Sequence, residues 1–412
     1  MDAAPSARPP LAGVRVVELA SDHAAFAGKL LADYGAEVVL VEPPGGHRSR
    51  TYEPFAGDVP GPERSLWWWH YQTSKKSVVL DLDDAADRAR FTALVASAEI
   101  VLEGEAPGDL ASRCIDYPDL RPANLSVIWV SVTPYGRSGP RAGNAFTDLT
   151  VLADGGPVWS CGYDDHSLPP VRGGGNQGFH TASIFAVMSA LTAWLHRART
   201  GVGQFVDVNM HACANVTTEA ATYDYLVAGR TVQRMTGRHA SVNLTTSSMA
   251  PAVDGKVVHT GVPPRAAHEF ANLLAWLDEL GWRDDYAEAF FLQMGVDRGG
   301  VHLSQIYADV EAQAIFNAGR ECLRFLAGRL PAYEFFVGAQ RHGLAAGILY
   351  SPEEVLADPH FVARGYPVEV VEPDGRVAIH PGLPVAMHGS PGRITRAPRL
   401  GEHQREVLDG LA

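Results

Sequence analysis

An α/β fold is what this sequence predicts: a large domain built on a helix-covered parallel sheet, joined to a smaller α+β domain. Three observations predict it. Short β-branched runs alternate with stretches of helical apolar spacing through the first half of the chain, which is the pattern of βαβ units. At 412 residues the chain is long enough for two or three lobes. Around 230–248 the sequence turns polar and loop-like before a second set of apolar segments begins.

The first element is no element at all: "MDAAPSARPP" has no apolar core that could act as a secretory signal and reads as a floppy lead-in. "GVRVVELA" is a β-branched strand, "AAFAGKLLADYGA" has helical spacing and stops at Gly35, and "EVVLVEPPGG" is a second strand closed by Pro and Gly. Further strands are predicted at Ser77–Leu82, Ala98–Gly104 and Leu125–Gly136. A long helix from about Gly178 to Arg197 leads into "GQFVDVNM", another strand, and then a helix. From Ala250 to about Arg329 a strand and several aromatic-rich helices read as the smaller lobe, and the tail from Tyr350 carries two strand-like runs among many turns. These boundaries divide the chain into 1–230 with 335–412, and 231–334. A parallel sheet of this kind takes its ligands at the carboxyl ends of the strands.

Composition excludes several classes. With 46% apolar and 20% charged residues the chain is neither disordered nor collagenous. No run of about 18 uncharged apolar residues predicts a membrane span. A formal charge of −13 repels a polyanionic backbone, which argues against nucleic acid as a partner. Cys114, Cys161, Cys213 and Cys322 lie far apart with no CxxC pair, so neither a metal cluster nor a disulfide framework is expected. A reducing cytoplasm fits that cysteine usage.

Several stretches carry a resemblance beyond this pattern. "LAGVRVVELASDHAAFAGKLLADYGAEVVLVEPPGGHRSR", "TSKKSVVLDLDD", "TPYGRSGP", "RTGVGQFVDVNM", "DGKVV" and "SPEEVLADPHFVARG", in that order, resemble the type III CoA-transferase family. That group includes formyl-CoA transferase, carnitine CoA-transferase and α-methylacyl-CoA racemase. The resemblance covers about Leu11 to Leu408. It implies a Rossmann-like CoA-binding domain made from both chain ends, an inserted small domain, and two subunits interlocked as rings. Acyl-CoA and carboxylic acids would be the substrates, with the CoA thioester as substrate and no tightly bound cofactor. The second subunit could be an identical chain or a homologous one.

A CoA-transferase moves a thioester from one carboxylate to another, so the simplest catalyst is an enzyme carboxylate that attacks the thioester carbonyl. Backbone N–H groups near a glycine-rich turn would stabilise the oxyanion. The resemblance puts that carboxylate at the start of the long helix, 21 residues before the Thr of a "TG-x-GQ" exit, and counting back from Thr200 lands on Phe179. No Asp or Glu occurs between Asp165 and Thr200. The His–Asp pair of the racemases is missing too: Thr147 stands where their histidine would, and Asp148 keeps the carboxylate that comes next.

The catalytic candidates are therefore Asp148, by position, and His180, an imidazole beside the vacated place. Asp148 reads equally well as a capping or loop carboxylate, His180 as a hydrogen-bonded histidine at a helix start, and "GGGN" at 173–176 as a tight turn. For CoA, the resemblance implies contacts at His23, Arg50, Lys75, Leu80, Gly104 and Glu105. "LWWWHY", 66–71, suits either an acyl pocket or packing. Besides CoA transfer, the chain could be the non-catalytic half of a heteromeric transferase, an enzyme of another acyl-CoA reaction, or a thioester-binding protein without turnover.

Overall fold

The structure is a computed structural model and describes residues 8–306 and 308–411. Most of the expected lead-in, 1–7, lies outside the described residues. The chain forms two compact units: Met1–Trp159 with Val171–Tyr223 and Leu356–Ala412, and Ser160–Pro170 with Asp224–Val355.

The first unit is built on six parallel strands: β1 (Arg15–Leu19), β2 (Glu37–Glu42), β3 (Lys76–Val79), β4 (Ile100–Glu103), β5 (Ile128–Thr133) and β6 (Phe205–Asn209), in the order β3-β2-β1-β4-β5-β6. β4 and β5 are buried at every residue, which is why they read as continuous apolar runs rather than alternating ones. The strand order reverses between β1 and β4. At such a reversal the loops leave in opposite directions and open a crevice at the carboxyl edge.

Five helices of this unit bear on the site: α1 (Ala25–Asp33), α2 (Leu66–Tyr71), α3 (Ala85–Ala96), α4 (Asp148–Gly155) and α5 (Gln177–Thr200). α1 lies so close to β1 that a Cβ on Gly28 would fall 1.9 Å from Glu18 Oε2, so only glycine fits there. α5 is longer than the sequence suggested and ends on Gly201 at φ 74°. By length and composition alone it could cross a membrane. Here its small-residue stripe, Ala182, Ala186, Ala190 and Ala193, packs into the sheet's core with Val16, Ile100 and Val130. Near the chain's end Gln404 carries the β3 edge on, bonding Val79 through both its amide oxygen and its amide nitrogen.

The second unit has a three-stranded antiparallel sheet, Met249–Pro251, Val257–His259 and Gly347–Ile348, backed by helices Ala267–Leu280, Val310–Ala327 and Ala332–Arg341. Its core gathers Phe270, Trp276, Leu277 and Phe335. It reaches beyond 231–334 because Phe335 packs against Trp276, ring centroids 5.7 Å apart, and keeps the last helix inside it. The segment Ser160–Pro170 is held there by the Arg238–Asp164 ion pair.

Candidate functional site

The first unit carries a cleft of about 560 Å³ at the carboxyl edge of β1 to β4, at the strand-order reversal. Its walls come from the loops after these strands, with Phe146 at one end. A second, more open depression is lined by Asp22, Tyr52, Trp67, Asn176 and Phe179 among others. Asp22 lines both.

Two arginines bring positive charge to the cleft. Arg48 is 71% exposed and pairs with Asp22 at 2.7 Å. Arg113 pairs with Asp83 at 2.8 Å and Asp109 at 2.5 Å. The Asp22 carboxylate is also held by the Tyr52 hydroxyl at 2.8 Å, and burial with that bond pushes Tyr52 up to about 12. The other oxygen, Oδ1, is buried and has no hydrogen-bond partner among the described residues.

His23 is buried on the same loop and donates from Nε2 to the Val132 carbonyl at 3.0 Å. Burial lowers it to about 4, so it is a neutral imidazole near pH 7. Gly104 is what lets it sit there: a Cβ on residue 104 would meet His23 Nε2 at 2.4 Å and Ser21 Oγ at 2.8 Å. The next residue, Glu105, is pushed up to about 7 by burial, with Asp109 and Glu103 adding like charge. His23, Leu80, Gly104 and Glu105 all line the cleft.

Arg50 and Lys75, the two cations expected at CoA, do not. Arg50 is 1% exposed. It makes a fork on Glu42 at 2.7 and 2.8 Å, reaches Glu63 at 3.0 Å, and lies 3.7 Å over the Trp68 ring. Lys75 is sealed against Glu18 at 2.7 Å, with the Gln72 amide oxygen and the Ala25 carbonyl completing its shell. Both ammonium and guanidinium donors are used inside the fold, which leaves none for phosphate. Arg48, two residues before Arg50 in the same "GGHRSR", faces the cleft instead.

The catalytic candidates lie next to the α5 start but outside both depressions. Asp148 Oδ1 accepts from the Phe179 backbone N–H at 3.0 Å, so it caps α5, and Oδ2 receives Arg172 at 3.4 Å. Thr147 in turn caps α4, accepting from Thr150 N at 3.2 Å. The Phe179 ring packs edge-on against His23 at 5.9 Å and Phe146 at 6.2 Å. His180 Nε2 and the Tyr71 hydroxyl are 2.7 Å apart, the imidazole stacks on Phe26 at 4.3 Å, and burial lowers its pKa. Of the three adjacent tryptophans only Trp67 lines a depression. Trp68 and Trp69 are core, with indole N–H groups bonded to Pro398 and Glu63 carbonyls.

Sequence reasoning missed Arg48, Arg113 and Asp22. Arg48 stood in a motif already singled out. Asp22 directly precedes His23 in a quoted stretch, whereas nothing in one dimension marks Arg113, which reaches the cleft only because loops after different strands meet at one edge.

A parallel sheet with a cation-bearing cleft at its order reversal is the frame of a nucleotide- or CoA-binding α/β protein. The chain belongs to CoA-transferase family III, whose family model matches residues 11–404. It is 31% identical to the succinyl-CoA–D-citramalate CoA-transferase of Chloroflexus aurantiacus, covering 98% of this chain and 95% of that protein. It is 30% identical to the succinate–glutarate CoA-transferase of Agrobacterium fabrum, covering 99% and 97%. A succinyl-CoA:(R)-benzylsuccinate CoA-transferase subunit from Thauera aromatica is 27% identical over 96% of this chain and 92% of its own. Among solved structures, a CaiB/BaiF family protein from Brucella suis superposes with a TM-score of 0.78 at 25% identity, covering 98% of this chain and all of that one.

Proposed function

We propose that this protein transfers CoA between carboxylic acids, binding the CoA thioester in the cleft of its Rossmann-like unit. The observation that carries the proposal is the meeting of Arg48 and Arg113, both with donors reachable from solvent, at the carboxyl edge of a family III sheet. The cations suit CoA phosphates and the apolar wall at Leu80 suits adenine. His23, Gly104 and Glu105 complete that wall. Names of the relatives favour succinyl-CoA as donor. Tyr52, Trp67 and Phe179 in the second depression favour a bulky, apolar acceptor acid.

The working unit in this reading is an interlocked dimer in the cytoplasm. The outer face of α5, which leaves Ile184, Met188 and Leu195 more than half exposed, supports a second chain covering it. The test is to incubate the purified protein with succinyl-CoA and a panel of carboxylic acids and to follow acyl-CoA products by mass spectrometry. New acyl-CoA formed with release of one succinate per turnover is the expected result. Absence of transfer to every acid, with or without a homologous subunit, refutes it.

A second reading is favoured by Phe179 itself, which puts a ring where the resemblance puts the attacking acid. In that reading this chain is the non-catalytic half of a heteromeric transferase. Transfer that appears only after a homologous subunit is added would select it.

A further inference from the structure

Of the carboxylates around the two depressions, most already have a task. Glu42 holds Arg50 and accepts from the Ser77 hydroxyl, Asp83 holds Arg113, and Asp81 accepts from the backbone of Asp83. Burial and the like charge of Asp109 and Glu103 raise Glu105 and favour its neutral form. Glu53 is exposed at the rim of the second depression.

Asp22 differs from all of these. It is in the wall common to both depressions, so a group bound in one and a group bound in the other would both reach it. One of its oxygens, Oδ2, is fixed by Tyr52 and Arg48, while Oδ1 is buried with no partner among the described residues. A buried carboxylate oxygen left unpaired costs stability, and such groups call for an explanation beyond packing. The carboxylate torsion of an aspartate is broad and two-fold, so rotation about it exchanges the two oxygens once Arg48 has let go of Oδ2. Arg48 is 71% exposed and can move from Asp22 to a ligand phosphate without unfolding anything.

Resting on the transferase reading above, we infer that Asp22 is the carboxylate that attacks the thioester in this protein, in place of Phe179. An Asp22 oxygen bonds to the thioester carbonyl carbon as the C–S bond breaks, giving a mixed anhydride and CoA thiolate. The thiolate then attacks the Asp22 carbonyl carbon and expels the donor carboxylate, leaving CoA as a thioester on Asp22. The acceptor carboxylate attacks that carbonyl and expels the thiolate. The thiolate returns to the acyl carbon and frees Asp22. No proton, oxidant or reductant is consumed.

The experiment is to incubate the wild-type protein with succinyl-CoA, quench with hydroxylamine, and map hydroxamate by peptide mass spectrometry. Turnover of wild type and D22N is measured in the same preparation, with CoA binding by calorimetry to check that the variant folds. Hydroxamate at Asp22, with D22N turnover down at least about a thousandfold and CoA affinity within a few-fold, is the expected result. Hydroxamate on another residue, or D22N turnover within tenfold of wild type, overturns the inference and leaves the transferase reading standing. Neither adduct nor turnover with any thioester overturns both. Should D22N not fold, the map on the wild-type protein decides alone, since a merely structural Asp22 acquires no hydroxamate.

Discussion

Arg48 and Arg50 are two residues apart, carry the same charge and leave the same strand, yet they do opposite things. Arg50 is sealed between Glu42 and Trp68 and holds the β2 edge together. Arg48 projects into the cleft with a single exposed ion pair. Lys75 and Arg113 repeat the contrast: the lysine is locked to Glu18 in the interior, and the arginine sits at the cleft wall. A cation whose donors are all satisfied within the fold contributes to stability, whereas one whose donors reach solvent is free to bind. Burial, not residue type or spacing, separates the two.

The largest effect should come from R50A. It leaves the Glu42 carboxylate buried and uncompensated, so stability to urea should fall by about 3–5 kcal/mol. A loss under about 1 kcal/mol would erase the contrast with Arg48.

K75M should cost somewhat less, because the stranded Glu18 can take a proton. Burial already raises Glu18 above its usual range. Without Lys75 the stabilised form is the protonated acid, so the variant should be most stable at pH values below the ordinary carboxylate range and lose stability as pH rises through Glu18's raised pKa. A pH-independent penalty would contradict this.

G104A places a Cβ against His23 and Ser21. Overpacking of this kind costs about 1–3 kcal/mol, and the displaced imidazole should weaken CoA binding as well. Melting temperature and calorimetric affinity should therefore fall together.

Glu105 should produce a smaller, pH-shaped effect. Its pKa is raised to about 7 in the fold, so the native state keeps a proton that the unfolded chain gives up near 4.5. Its contribution is present in full below about 4.5 and is lost as pH rises to about 7. Denaturant midpoints of wild type and E105Q should diverge across that window, and parallel curves would show that Glu105 does not titrate there.

The sheet was legible because its strands are β-branched runs broken by glycine and proline, and α5 because its apolar spacing is helical, although it runs on to Thr200, past the expected stop near Arg197. The small unit's reach was not, since it depends on Phe335 meeting Trp276 across about sixty residues. At the site, motif positions led to His23, Leu80, Gly104 and Glu105, all on the cleft wall. They also led to Arg50 and Lys75, whose partners Glu42 and Glu18 lie on neighbouring strands that no spacing rule connects to them. Asp148 is close to the α5 start as its position suggested, but as the helix's cap.

The smallest expected change in stability belongs to R48A/R113A, and with it goes the most direct test. Exposed pairs of this kind contribute about 0–1 kcal/mol each, so the melting temperature should shift by only a few degrees. Calorimetric titration with CoA should nevertheless show affinity weakened tenfold or more. An unchanged affinity in the double variant would contradict the claim that the cleft at the strand reversal is where this protein holds CoA.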